Sequence, residues 1–132
     1  MNTEINIAHV IAEIQEVFEN YEHALIKNDL GILDQYFWHS PIVVRFGMSE
    51  NLYGIEAIRA FRNARVTGAM ERRLFNTIIT TFGTDFATTI TEFVRDDHIQ
   101  GRQSQTWVRF PYGWRIVSAH VSCVIPLPRI VV

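Results

Sequence analysis

The sequence lacks several features that are typical of particular protein classes, and each absence excludes one of those classes. Its 132 residues contain one cysteine, Cys123, which excludes an internal disulfide and fits a reducing cytoplasm. No apolar run approaches membrane-spanning length, and no apolar leader segment stands near the first residue. The net charge is −2 and no basic tract occurs, so the charge pattern of a nucleic-acid-binding protein is missing. We therefore expect a cytoplasmic protein that binds neither nucleic acid nor membrane.

The sequence motifs of metal and covalent chemistry are missing as well. There is no HExxH, no CxxC and no cluster of histidine and aspartate with metal-ligand spacing. There is no GxSxG and no glycine-rich phosphate loop. Cys123 follows an apolar stretch and is interpreted as an inert core thiol. We expect a protein that uses no metal and no cofactor.

Helical periodicity is the clearest signal in the first half of the chain. Apolar residues recur on one face from about residue 6 to residue 27, which predicts a long first helix. Thr3 or Asn6 is expected to cap its start, and Asn28 is expected to end it. A short second helix is predicted to start at Asp29.

The second half of the chain is rich in threonine, isoleucine, valine and aromatic residues, which is typical of strands. Turn residues separate four segments, at 74–82, 86–95, 99–110 and 114–125. Helices followed by an antiparallel meander indicate an α+β fold in one domain spanning 1–132. The simplest packing curls the sheet around the first helix and leaves a cavity at the open end.

Two arginines share the buried side of a third helix, predicted from Gly54 to about Val66 and stopped by Gly68. At 100° per residue, Arg62 and Arg65 fall within the apolar arc, which is formed by Ile55, Ile58 and Phe61. An arginine cannot lose its charge, so burying one requires an anion or strong hydrogen bonds. Alternatively, Arg65 covers the helix C-terminus, where cations are favoured, and Arg62 reaches outward.

A further arginine, Arg45, lies in a strand predicted from residue 41 to residue 46. It shares a face with Val43, because side chains alternate along a strand. Val44 and Phe46 are also apolar, so either face can be the buried one, and a solvent-facing Arg45 remains an alternative. A strand that is apolar on both faces would bury it.

Tyr21 and His120 are candidate catalytic residues. Tyr21 lies on the apolar face of the first helix, where it is either a core tyrosine or a hydroxyl aimed at the cavity mouth. His120 lies mid-strand and is expected to share a face with Trp114 and Ile116. Its pKa range suits proton transfer, although a histidine in this place can also be a satisfied core residue.

Further polar residues within the strands are candidates for substrate binding. Glu92 interrupts a threonine-rich strand, where a buried carboxylate would need an arginine or serve as an acid or base, and an exposed glutamate is the alternative. Residues 102–107 put polar groups on both faces of the next strand. One of these faces must therefore line solvent, a cavity or a dimer interface. Tyr53, Ser104 and Trp107 complete the substrate-binding set.

The chain resembles the nuclear transport factor 2-like superfamily, also called SnoaL-like or cystatin-like. Three segments carry this resemblance, namely YEHAL at 21–25, DQYFW at 34–38 and GWRIVSAHVS at 113–122. More closely, the chain looks like the AtzH-like or HpxZ-like family. The matching segments are VRFG at 44–47, ENLYG at 50–54, FRNAR at 61–65 and QSQTW at 103–107.

The resemblance implies a cone-shaped α+β barrel, usually a homodimer through the sheet. The apolar tail at 124–132 is expected to cover a subunit interface or its own core. AtzH-like proteins are associated with amide hydrolysis of 1,3-dicarboxyurea, and HpxZ-like proteins with oxalurate catabolism. The family's proposed site corresponds to Tyr21 and Arg45 in this chain.

Three hypotheses follow. The first is a metal-free amidohydrolase for a small carboxylated urea, in which three arginines (Arg45, Arg62 and Arg65) pair with substrate carboxylates, Tyr21 polarises the carbonyl and His120 activates water. The second is a non-catalytic protein that binds a small anion or a partner in the same pathway. The third is a proton-transfer isomerase or dehydratase, with Tyr21 as the oxyanion donor and His120 or Glu92 as the base.

Overall fold

The computed structural model describes residues 3–65 and 71–125. Three helices precede the long strands: α1 (Ala8–Lys27), α2 (Leu30–Tyr36) and α3 (Ile55–Ala64). The six strands are β1 (Val44–Phe46), β2 (Asn51–Tyr53), β3 (Arg72–Phe82), β4 (Phe86–Arg95), β5 (Gln100–Phe110) and β6 (Gly113–Cys123). The predicted strands of the second half are confirmed to within two residues at each end.

One open sheet contains all six strands in the order β2-β1-β6-β5-β4-β3. Residues of α1 pack in one core with Trp107, Trp114 and Ile116 of the sheet. This α+β arrangement, with a curved sheet and a long N-terminal helix, confirms the predicted fold class. We call the sheet face that carries this core the inner face, and the opposite face the outer face.

The sheet is antiparallel except where β1 runs parallel to β6. Phe37, at the end of α2, forms a parallel bridge with Ile116 of β6, and the next residue, Trp38, donates its backbone N–H to the Ile116 carbonyl at 3.0 Å. These bonds fix the chain beside β6 before β1 begins, so β1 continues in the same direction. The antiparallel meander predicted for the second half is formed by β3 to β6, and the parallel pairing of β1 with β6 adds to it.

The helix ends agree with the sequence except at the start of α1. Asn28 ends α1 in the left-handed conformation with φ 55°, and the Asp29 side chain caps α2, as expected. Neither Thr3 nor Asn6 caps α1. The Asn6 side chain instead accepts a hydrogen bond from the Thr81 backbone N–H at 2.9 Å, which ties the start of the chain to β3.

The start of α3 is set by Gly54, which has φ +85°, a conformation that residues with a side chain rarely adopt, and a Cβ there would lie only 3.1 Å from the Pro41 carbonyl oxygen. The helix ends at Ala64. The predicted stop at Gly68 and most of the apolar tail, residues 126–132, lie outside the described residues.

A bulge in β6 decides which residues face the core. Thr106 is opposite Ser118, but Trp107 is opposite Ile116, so Val117 is an extra residue on β6. Trp114 and Ile116 lie on the inner face before the bulge, and Ala119 continues that face after it. The prediction that His120 shares a face with Trp114 and Ile116 is therefore wrong.

Candidate functional site

A cavity of about 210 Å³ lies between the inner face of the sheet and the helices. Two residues of α1 line it, Tyr21 and Leu25. The hairpin of β1 and β2 and the end of α3 contribute the next wall, with Arg45, Met48, Glu50, Phe61 and Arg65. The sheet supplies the remaining wall, with Arg72, Phe93, Arg95, Gln103 and Val121.

Arg45 and Glu50 form a partly buried ion pair on the hairpin wall. Arg45 is 8% exposed, and its Nη1 donates to Glu50 Oε1 at 2.9 Å. Burial alone would raise the pKa of Glu50, but hydrogen bonds from Arg45 and Ser49 outweigh it and hold the pKa below its usual value. Gly47 makes the contact possible, because a Cβ there would lie 1.6 Å from Glu50 Oε1. Glu50 is thus an ionised carboxylate at the cavity wall.

The position of the Tyr21 hydroxyl is fixed by a hydrogen bond with Arg62. The Tyr21 hydroxyl oxygen accepts a hydrogen bond from Arg62 Nη2 at 2.8 Å, and both residues are buried. The Arg62 guanidinium lies 5.8 Å from the centroid of the Phe37 ring. Its Nε and Nη1 are buried without a hydrogen-bond partner among the described residues. Because the Tyr21 oxygen accepts from Arg62, its own proton is free to be donated into the cavity.

Arg72 on the sheet wall joins α1 to β5. Its guanidinium donates to both carboxylate oxygens of Glu22, at 2.7 and 2.5 Å, and to Gln103 Oε1 at 2.8 Å. It also lies 4.5 Å from the centroid of the Phe93 ring. The Phe93 ring in turn occupies the space over Gly101, where a Cβ would meet ring carbons at 2.2 Å. Arg72 is therefore fixed by charge, hydrogen bonding and packing together.

Two further arginines at the cavity, Arg95 and Arg65, lie in surroundings that are unfavourable for a guanidinium group. Arg95 lies directly opposite Arg72 in the β3–β4 register, a like-charge pair that is unfavourable by itself. Its Nη2 bonds Asp97, but its Nε is buried without a partner in residues 3–65 and 71–125. Burial lowers the pKa of the Arg65 guanidinium, and the charges of neighbouring arginines, Arg62 foremost, lower it further.

The structure brings part of the predicted site to the cavity. Tyr21, Arg45 and Arg65 line it, and Arg62 lies directly behind Tyr21. Of the alternatives left open for α3, the structure has Arg62 buried and Arg65 at the cavity lining. Trp107 is fully buried away from the cavity lining, and its Nε1 donates to Thr89 Oγ1 at 3.1 Å.

Four other predicted site residues lie on the outer face. Tyr53 is 66% exposed and contacts the Phe46 ring, and His120 contacts the same ring at 5.9 Å between centroids. Ser104 is exposed opposite His120 in the register. Glu92 accepts a hydrogen bond from Asn76 at the surface. The alternation of each strand, reset in β6 by the bulge, points these side chains away from the cavity.

Arg72, Arg95, Gln103 and Glu50 line the cavity and were not among the predicted site residues. Glu50 and Gln103 lie within the segments ENLYG and QSQTW that carry the family resemblance, which is the signal that could have found them. Arg72 and Arg95 stand at strand ends, where an isolated arginine is common. Only the pairing register shows that the two residues are opposite each other on β3 and β4.

Among residues 3–65 and 71–125, no group of three or more histidine, cysteine, aspartate and glutamate side chains is arranged to hold a metal ion. No helix in the described part of the chain is long and apolar enough to cross a membrane.

Solved structures share this fold. A cystatin-like fold protein from Burkholderia xenovorans is 46% identical, with a TM-score of 0.89 over 94% of this chain and 99% of that one. A protein of unknown function from Pectobacterium atrosepticum is 52% identical, with a TM-score of 0.89 over 92% and 95% of the chains. A nuclear transport factor 2-like superfamily protein from Salmonella enterica is 25% identical, with a TM-score of 0.77 over 92% and 95%.

The fold and cavity therefore place the chain in the nuclear transport factor 2-like, cystatin-like class. Within that class it belongs to the AtzH-like family, whose model matches residues 3–126. No curated protein matches the chain.

Proposed function

We propose that the cavity binds a small carboxylated urea or related ureide and hydrolyses one of its C–N bonds. The observation that carries this proposal is a surplus of N–H donors at the cavity. The lining contains four arginines and one glutamate, and Arg95 Nε and Gln103 Nε2 are buried without acceptors within the described residues. Buried donors of this kind cost about 1–3 kcal/mol each unless a partner arrives. A ligand rich in carboxylate and carbonyl oxygens supplies that partner.

Charge supports an anion over a neutral ligand. The chain as a whole carries a net charge of −2, yet its cavity lining carries three more positive than negative side chains. Even with Glu22 behind Arg72, the cavity remains positive. Guanidinium groups bind planar carboxylates through two parallel hydrogen bonds, so Arg45 and Arg65 suit a carboxylated ligand.

The proposed chemistry uses the side chains at the hairpin wall. Water adds to the ligand carbonyl, and the charge that develops on the carbonyl oxygen is stabilised by Arg45 and by the Tyr21 hydroxyl. Glu50 is the carboxylate of the lining and accepts the proton of the attacking water, while the departing nitrogen takes up a proton as the C–N bond breaks. A carboxylate with a lowered pKa is a weak base, so turnover is expected to be slow.

A second candidate is a non-catalytic binding protein for the same anion. The observation that favours it is that Glu50 is engaged by Arg45 at 2.9 Å and by the Ser49 hydroxyl at 2.9 Å. In addition, His120, which the sequence suggested as the base, lies on the outer face. This candidate predicts binding without turnover.

The test measures bicarbonate released from 1,3-dicarboxyurea and oxalate released from oxalurate by the purified protein. We expect turnover of one of them that falls at least about a hundredfold in Arg45→Met and in Tyr21→Phe. Arg102→Met removes an exposed arginine from the outer face and is expected to leave the rate unchanged. Binding of either compound without turnover would favour the second candidate, and neither binding nor turnover would contradict both.

We further propose that two copies of the chain pair through the outer face. Apolar side chains stand exposed there on neighbouring strands, including Ile78 at 61% and Ile90 at 50%. Exposed apolar surface of this kind is a common feature of protein interfaces. The expected result is a dimer by light scattering in the wild type and a monomer in Ile90→Glu. A monomeric wild type would contradict the pairing.

A further inference from the structure

Gln103 presents one end of its amide to the cavity in a fixed orientation. Its side chain is 3% exposed, and its Oε1 accepts a hydrogen bond from Arg72 Nη2 at 2.8 Å. Because the oxygen faces Arg72, the other end of the amide is the NH₂ group. That nitrogen, Nε2, is buried and has no hydrogen-bond partner among the described residues.

The orientation of Gln103 depends on Arg72, which cannot turn away. Two charge-assisted bonds to Glu22 hold the Arg72 guanidinium, and the Phe93 ring packs against it. Flipping the Gln103 amide would put its NH₂ group against the Arg72 guanidinium, donor against donor. The free N–H groups are therefore preorganised before any ligand arrives.

A neighbour on the same strand provides a contrast. Gln105 lies on the same face of β5, two residues further on, and is also buried. Its Oε1 accepts a hydrogen bond from Thr89 Oγ1 at 3.0 Å, and the residue does not line the cavity. Gln105 Nε2 is not among the buried atoms that lack a hydrogen-bond partner in the described residues, so the missing partner at Gln103 Nε2 is not common to the buried glutamines of this strand.

We infer that Gln103 is a specificity-determining residue whose NH₂ group donates a hydrogen bond to an oxygen at the far end of the ligand. This inference rests on the proposed anion-binding function and deepens it. Arg45 and Arg65 bind one carboxylate at the hairpin end of the cavity. Gln103 donates a hydrogen bond to a second carboxylate or carbonyl oxygen at the sheet wall. A ligand with a methyl or amino group at that end leaves the Nε2 donor unpartnered and binds more weakly.

The experiment measures the affinity for malonate and for acetate by calorimetric titration. Wild type should bind malonate more tightly than acetate, because acetate does not reach the sheet wall. Gln103→Met should weaken malonate binding by about tenfold to a hundredfold and leave acetate binding nearly unchanged. Gln105→Met is the matched control and should bind malonate as wild type does.

A second variant separates this role from a structural one. Gln103→Glu keeps the acceptor for Arg72 and adds a charge-assisted bond to it, so the ligand-free protein should melt no lower than wild type. It replaces the donor by an acceptor, so malonate binding should be lost. Gln103→Met that binds malonate with wild-type affinity would overturn the inference and leave the proposed function standing. A wild type that binds no dicarboxylate would overturn both.

Discussion

Polar side chains on the two faces of the sheet differ in whether their hydrogen-bonding groups have partners. On the inner face, Arg95 Nε and Gln103 Nε2 are buried without a hydrogen-bond partner among the described residues. On the outer face, Ser104 and His120 are exposed to water. Water satisfies the outer groups at no cost, whereas the inner ones need a partner that the fold does not fully provide. Burial with an unmet partner therefore marks the site, and residue type alone does not.

The most disruptive test of this contrast removes the charge that offsets Arg72. Glu22→Gln keeps the shape of the side chain but leaves the Arg72 guanidinium without its anion, in a pair whose side chains are 5% and 10% exposed. Breaking a buried pair in this way is expected to lower the free energy of unfolding by about 3 kcal/mol. Urea-induced unfolding measures the change.

The control for Glu22 is a surface carboxylate. Glu56 pairs with Arg59 at 2.9 Å, but its side chain is 85% exposed. Glu56→Gln should therefore change the free energy of unfolding by less than about 0.5 kcal/mol. Equal losses in the two variants would contradict the distinction between the cavity wall and the surface.

A smaller effect is expected from crowding the hairpin wall. In Gly47→Ala, the added methyl would lie 1.6 Å from Glu50 Oε1 and 3.0 Å from Arg45 Nη1, so the carboxylate must shift from its present position beside Arg45. We expect a loss of about 1–2 kcal/mol in the free energy of unfolding. Differential scanning calorimetry checks the sign as well as the size.

Gly31→Ala is the matched glycine control for Gly47→Ala. A Cβ at Gly31 meets only Asp29 Oδ1, at 3.7 Å, and the residue lies within α2. Alanine is the better helix former, so this variant should gain up to about 1 kcal/mol. A stabilising Gly47→Ala would show that the Arg45–Glu50 pair does not depend on the space at residue 47.

The smallest expected effect concerns the acid side of the stability profile. The pKa of Glu50 is lower in the folded protein than its ordinary value of 4.5, so the unfolded chain binds a proton more readily. The stability that Glu50 contributes is present above pH 4.5 and is lost as the pH falls through the lowered pKa. Glu50→Gln should therefore lose less stability than wild type between pH 7 and pH 3, as measured by urea-induced unfolding at the two pH values. A variant with an unchanged profile would contradict the role of this carboxylate.

Helical periodicity carried much of the sequence prediction. It predicted the length of α1 and which side of α3 is buried. Tyr21, Arg62 and Arg65 lie on the apolar sides that it identified. The spacing of residues around a helix is regular. Once the apolar arc identifies the buried side of the helix, the direction of every other side chain is therefore known. The family resemblance added Arg45, whose strand is too short and too apolar on both faces to be oriented by alternation.

Strand positions were harder, because alternation has a period of two and one extra residue reverses it. Val117 is such a residue in β6, and it moves His120 to the outer face. Gln103 and Ser104 stand in a stretch that is polar on both faces, so the sequence offered no reason to choose the right one. The position of Arg72 opposite Arg95 depends on the pairing of β3 with β4, which no local pattern specifies.

The central claim is that the inner face holds a binding site for a small dianion, and thermal unfolding with matched anions tests it most directly. Malonate at a hundredfold excess over its Kd should add about 2.7 kcal/mol, a rise in Tm of about 8 °C. Acetate at the same ionic strength should add much less, and Arg45→Met should lose the malonate effect. Equal shifts with malonate and acetate, or the full malonate shift in Arg45→Met, would contradict the claim.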